Sequence, residues 1–194
     1  MPVKLNILIA PLDWGLGHTT RCLPIVDVLL RNGQTVCVAA EGAAASVVGK
    51  HFPGLEIIPL RGYRIGYSAQ KYLFTAKIIT QVPGIIQSIR SEHRWLQQLL
   101  QNRHFDFLIS DNRYGLHHPA LPTVIMTHQL LIKTKLGKVA DGVLQKWHYR
   151  LLEHFREFWL VAQNGSDGLS GKLAQPEKLP PNGRYIGLLS QLAL

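Results

Sequence analysis

The sequence predicts an α/β fold, a Rossmann-like doubly wound parallel sheet of about six strands with helices on both faces. Three observations predict it. Short apolar runs rich in β-branched residues alternate with longer stretches whose apolar residues recur at helical spacing. The first such run leads straight into a turn with two glycines that opens a helix. No internal repeat breaks the alternation, and a composition with 46% hydrophobic and 17% charged residues is that of a packed globular chain.

Leu5 to Ala10 is the first apolar run and suits a strand buried on both faces. Thr19 to Arg31 follows with Leu23, Val26, Leu29 and Leu30 at helical spacing, and Asn32-Gly33 stops that helix. Thr35 to Ala40 and Leu55 to Leu60 are the second and third strands. Two helices are predicted next, Lys71 to Gln81 and Pro83 to Gln101, with Pro83 in the first turn of the second. Phe105 to Ser110 is the fourth strand, closed by Asp111-Asn112, and Thr123 to Thr127 the fifth. Gly137 to Phe155 places Val139, Val143, Trp147, Leu151 and Phe155 on one helical stripe, and Phe158 to Ala162 is the sixth run. From Gln163 to Pro181 glycine, proline and polar residues dominate before Tyr185 to Leu189 begins a new apolar run. The expected division is a Rossmann-like domain over 1–162, then a linker and the start of a further domain over 163–194.

The formal net charge of +9 points to an anionic partner, whether a phosphorylated substrate, nucleic acid or an anionic membrane surface. Cys22 and Cys37 sit among apolar residues without metal-type spacing and read as reduced, buried thiols in a cytoplasmic protein. The N-terminal apolar run from Leu5 to Leu12 is too short for a signal peptide, and Asp13 follows it directly. No stretch approaches the roughly 20 apolar residues of a spanning helix.

In an open parallel sheet, ligands bind beyond the carboxyl ends of the strands at the switch point of strand order. After the first strand comes Asp13-Trp14-Gly15-Leu16-Gly17-His18-Thr19-Thr20. The glycines permit a tight turn and the helix start offers unpaired amides. A dinucleotide fingerprint needs a further glycine where Thr20 stands, although Glu41 after the second strand mimics its ribose-binding acid. His18 suits a general base, or else it caps and packs. The usual strand order puts the fourth strand beside the first, so Asp111 becomes the partner that orients His18, with capping by Asp111 and Asn112 as the plainer role. His128 and Gln129 after the fifth strand reach the same edge. No histidine pair has zinc-type spacing, and no metal is expected. Arg64, Tyr67, Lys71, Tyr72, Phe74 and Lys77 mix basic, aromatic and apolar character, as a membrane or acceptor surface does, though single-stranded nucleic acid or plain solvent also suits such a run.

The segment from Ile7 to Val38, with Gly15-Leu16-Gly17-His18 at its centre, resembles the N-terminal domain of GT-B fold glycosyltransferases. The nearest group is that of the bacterial lipid II-forming N-acetylglucosaminyltransferase (glycosyltransferase family 28-like) and its uncharacterised bacterial relatives. Ser110 to Gly115, Thr127-His128-Gln129, Leu169 to Leu173 and Tyr185 to Ser190 are similar to motifs of those relatives in the same order. The resemblance implies an inverting transfer of a hexose or N-acetylhexosamine to a hydroxyl of a lipid-linked or saccharide acceptor. It implies His18 and Asp111 as the catalytic pair, with Asp13, Trp14, Gly15, Gly17, Thr19, Asn112, Arg113, His128 and Gln129 on the substrate. No cofactor is expected on this half. A UDP-sugar donor would sit in a C-terminal donor-binding domain or a separate subunit. The implied place is the cytoplasm, peripheral on the inner face of the membrane, and nucleic acid is not among the expected partners. Two other readings stand beside this one, a dinucleotide-binding oxidoreductase domain and a non-catalytic lipid- or nucleic-acid-binding module.

Overall fold

The computed structural model describes residues 3–63, 74–132, 137–163, 174, 176 and 179–189, with the backbone alone over 74–82. The elements run β1 (Asn6–Ala10), α1 (Leu16–Arg31), β2 (Thr35–Ala39), α2 (Gly42–His51), β3 (Glu56–Ile58), α3 (Phe74–Asn102), β4 (Phe107–Asp111), β5 (Thr123–Thr127), α4 (Lys138–Leu152), β6 (Glu157–Leu160) and β7 (Gly183–Tyr185). The strands form one parallel sheet in the order β3-β2-β1-β4-β5-β6-β7. The order reverses between β1 and β4, and that gap is the switch point.

The central strands carry polar residues only at their ends and are apolar through their middles, because both faces are covered. Alternate side chains divide between them. Ile7 and Ile9 pack with Val36, Val38, Leu23, Val26 and Val48, under α1 and α2. Leu8 and Ala10 pack with Cys37, Leu108 and Leu96, under α3. A third cluster joins Ile125, Phe158 and Leu160 to Leu152 and Phe155, at the end of α4. Both cysteines are buried and unpaired by disulfide.

The structure departs from the sequence reading in three elements. The two helices expected on either side of Val82 are one, since α3 runs through Pro83. Proline removes a single backbone bond, and buried Leu96 holds the later turns of α3 against the sheet. α2 has no counterpart among the expected helices: Gly42 to His51 carries mostly small residues, so helical spacing shows only in buried Ala44 and Val48. A seventh strand, Gly183–Tyr185, pairs with β6 and builds part of the 163–194 segment into this sheet.

An internal ion pair ties α3 to the sheet edge. Glu92 of α3 accepts from Arg113 Nη1 at 2.9 Å, the Tyr63 hydroxyl at 2.9 Å and the Gly115 amide at 3.0 Å. Arg113 also donates to the carbonyls of Pro11 (2.8 Å) and Arg61 (3.1 Å). One residue cluster thereby fastens the loops after β1, β3 and β4. Gly115 passes so close that a Cβ there would overlap the Ile89 carbonyl and Glu92. Both charged side chains are essentially buried, at 0% and 3% exposed, and burial pushes the Glu92 carboxyl up to about 7 against the pull of Arg113. Removing one partner of a buried pair strands the other in a poorly solvating interior. Arg113→Met is therefore expected to cost about 3–5 kcal/mol of unfolding free energy, read from urea denaturation. A loss under about 1 kcal/mol would show that the pair does not hold the loops together.

Candidate active site

Asp111 ends β4, and the register Ala10↔Ser110 sets it beside the end of β1. The chain leaves β1 through Leu12 to Gly15. Gly15 has φ +70°, a left-handed conformation that glycine adopts without strain, and α1 starts immediately after it. His18 in the first turn of α1 then points back at β4. Its Nδ1 lies 3.0 Å from Asp111 Oδ2, with His18 7% exposed and Asp111 fully buried. A carboxylate accepts only, so Nδ1 carries the proton and the lone pair of a neutral His18 lies on Nε2.

Arg21, one turn further along α1, completes the arrangement. Its Nε is 3.3 Å from the same Asp111 oxygen, and its Nη1 is 3.2 Å from His128 Nδ1. A guanidinium only donates. His128 Nδ1 is therefore an acceptor, and its proton sits on Nε2. The two imidazoles meet edge to face with centroids 5.9 Å apart. One thus offers a basic nitrogen and the other an N–H. Partial loss of water, then the charges of Arg21 and His18, hold the pKa of His128 below its ordinary value. Asn112 turns the chain with φ +54°, a conformation asparagine tolerates better than most residues.

A cavity of about 390 Å³ opens at this edge. Leu12, Trp14 and His18 line it from the β1 side, Asn112 and Tyr114 from β4, and Thr127, His128 and Gln129 from β5. Tyr63, Ile85, Ile89, Ile132, Trp147, His148 and Leu151 complete the wall. His148 is 5% exposed. Its Nδ1 faces the Leu130 carbonyl at 3.2 Å and its Nε2 the Tyr114 hydroxyl at 2.9 Å. Nδ1 is thus the donor and the tyrosine donates to Nε2. Burial pushes His148 down to about 4.

The cavity brings together four residues that the sequence put on the substrate, Trp14, Asn112, His128 and Gln129, with His18. Others lie elsewhere. Arg113 and Thr19 are fully buried and line no part of the cavity; Arg113 is spent on Glu92 and carbonyls. Asp13 accepts from the Tyr63 amide at 3.1 Å and, with Gly15, borders a separate cavity of about 350 Å³. The Gly17 carbonyl accepts from Arg21 Nε at 3.2 Å. Glu41 accepts from the Gly62 amide at 2.7 Å, so the acid that mimicked a ribose-binding group already has a partner. Arg64, Tyr67, Lys71 and Tyr72 lie outside the described residues, as do the side chains of Phe74 and Lys77. Residues 169–173 do too. Sequence reasoning missed Arg21, Tyr114, Trp147 and His148 as site residues. Arg21 was detectable, because a residue three positions after His18 shares its helix face. Trp147 and His148 arrive on α4, whose approach no local pattern announces.

Among the described residues, no group of three or more histidine, cysteine or acidic side chains is placed to hold a metal, and no helix is long and apolar enough to cross a membrane. His117 instead stacks between His93 and His154, with centroid separations of 4.7 and 4.6 Å. Burial and then those neighbours push His117 down to about 4.

No protein-family model matches the chain, and no curated protein sequence does. Solved structures share its fold. The glycosyltransferase of kitacinnamycin superposes with TM-score 0.62 at 14% identity over 96% of this chain and 52% of its own. Phytolacca americana UGT2, solved with UDP-2fluoro-glucose and pterostilbene, gives TM-score 0.59 at 15% identity over 98% and 54%. Acinetobacter baumannii MurG gives 0.50 at 13% over 94% and 44%. The chain has the Rossmann-like fold of the N-terminal half of GT-B glycosyltransferases and spans about half the length of these structures.

Two histidine titrations test the geometry. His148 is expected to keep the NMR signature of a neutral Nδ1–H imidazole well below pH 6.5, the ordinary histidine range. For a histidine lowered on folding, the unfolded chain binds the proton first, so stability is whole above about pH 6.5 and falls on acidification toward about 4. An ordinary titration of His148 would contradict its buried position. Arg21→Met removes a neighbouring cation and should raise the pKa of His128; an unmoved titration would refute the Arg21–His128 contact.

Proposed function

We propose that this chain is the acceptor-side half of an inverting, sugar-nucleotide-dependent glycosyltransferase, with His18 as general base. The observation that carries the reading is the 3.0 Å contact of His18 with buried Asp111 at the switch point, beside a cavity of ligand size. The likeness to solved glycosyltransferases over half their length supports it.

In this reading the acceptor hydroxyl donates to His18 Nε2. As the hydroxyl oxygen attacks the anomeric carbon of a hexose or N-acetylhexosamine, its proton moves to Nε2. The bond from that carbon to the nucleoside diphosphate breaks, the electron pair leaves with the phosphate, and the anomeric centre inverts in one displacement. Asp111 stabilises the imidazolium that forms. The His128 N–H, in the tautomer set by Arg21, is a donor available to the developing alkoxide. A UDP-sugar would be held by a donor-binding C-terminal domain or subunit facing this edge. A cytoplasmic position against the membrane face belongs to the same proposal.

With the donor-binding half present, UDP release and sugar transfer are followed for the wild type and for His18→Ala. The variant is expected to lose about 10²–10⁴-fold in transfer, the usual share of a positioned base. Asp111→Asn should also depress the rate without abolishing acceptor binding. Full transfer by His18→Ala sinks the base assignment, and failure of the wild type to consume any of a panel of sugar nucleotides sinks the enzyme reading.

A further inference from the structure

We infer that the cavity beside His18 takes an uncharged, mainly apolar molecule that carries a hydroxyl at one end, a phenol or hydrophobic alcohol, rather than a saccharide or a phosphorylated lipid. The inference rests on the glycosyltransferase reading only in calling that molecule the acceptor. It departs from what the charge of +9 and the family resemblance suggest.

The wall divides its polarity by origin. The first turn of α1 and the loops after β4 and β5 supply His18, Asn112 and His128, while the later helices supply Ile85 and Ile89 from α3 and Trp147 and Leu151 from α4. A ligand with one hydroxyl finds both a proton acceptor and a donor on the His18 side, where Asp111 fixes the tautomer of His18 and Arg21 that of His128. Elsewhere it meets hydrocarbon and indole, which reward apolar surface.

The remaining polar side chains on the helical side do not ask for a ligand. His148 has both nitrogens engaged, one by the Leu130 carbonyl and one by the Tyr114 hydroxyl. A saccharide brings a hydroxyl on nearly every carbon. Those that reach Ile85, Ile89 and Leu151 would lose water without finding partners, and an unpaired buried polar group is costly.

Charge points the same way. Among the described residues that line the cavity, none is lysine, arginine, aspartate or glutamate. The nearby Arg21 is committed to Asp111, so the pair offers little net charge to a phosphate. The volume of about 390 Å³ lies in the range that encloses small organic ligands.

The test needs no donor. Calorimetric titration and ¹H–¹⁵N shift mapping of the chain compare 2-naphthol, 2-naphthyl phosphate and methyl β-D-glucopyranoside. The expected result is that 2-naphthol binds at least about tenfold more tightly than either other probe, with shifts at His18, His128 and Trp147. Trp147→Ala and Ile89→Gln, each checked for an unchanged thermal transition, should each weaken 2-naphthol by roughly five- to tenfold through lost apolar contact. Tighter binding of the phosphate or the glucoside overturns the inference, as does 2-naphthol binding indifferent to whichever of the two variants stays folded. The outcomes separate from those of the transfer assay. Sugar transfer to a glycoside by an enzyme that ignores 2-naphthol removes this inference alone, whereas apolar selectivity without any sugar-nucleotide turnover removes the enzyme reading and leaves the cavity's preference standing.

Discussion

The arrangement at the cleft hangs on one buried charge. Asp111 is a fully buried carboxylate at the end of β4, where the sheet reverses its strand order. Such a charge is tolerable only if it is compensated and hydrogen-bonded. Here a single oxygen meets His18 Nδ1 and Arg21 Nε, both from α1. The permanent cation supplies the compensation, so His18 need not be protonated for the carboxylate to remain buried. That leaves its second nitrogen free. Because Arg21 also reaches His128, Asp111 and Arg21 together set the donor and acceptor faces of two imidazoles, one in the first turn of α1 and one just after β5.

A second internal pair, two residues further along the chain, does for the scaffold what the first does for the site. Arg113 and Glu92 gather the loops after β1, β3 and β4 onto α3, and Tyr63 joins them with a hydroxyl while its ring lines the cavity. Both cations near the end of β4 are thus consumed internally. Among the described residues, the strongly basic character of the chain is consequently not expressed in the cavity wall, which they build from aromatic, aliphatic and neutral polar groups. Net charge is a property of a surface, and a site can be shielded from it by where its nearest cations are paired.

The fold was legible wherever the pattern was long or the run was strongly apolar. The strands around Leu8, Val38, Leu108, Ile125 and Phe158 announce themselves because a parallel strand covered on both faces favours apolar residues through its middle. α2 did not, since alanine and glycine carry little periodic signal. Pro83 misled, because local proline chemistry favours a break, whereas α3 continues through it and is held to the sheet by Leu96 further along. β7 lay hidden because three residues with an exposed arginine at their centre have no strand signature of their own and exist only by pairing with β6.

The sequence by itself determined the alternation of strand and helix, the glycine at the sharp turn after β1, a histidine at the start of the helix that follows it, and an aspartate at the end of the fourth strand. These follow from spacing along the chain. Only the tertiary structure decided which of the nominated polar residues face the cavity. Arg113 and Thr19 went inward, and Arg21, Trp147 and His148 joined the site or its wall. The reason is physical: parity and helical pitch fix the direction of a side chain relative to its own element. What it meets there depends on strand order and on the approach of helices distant in sequence, as with His18 and Asp111, 93 positions apart in the chain.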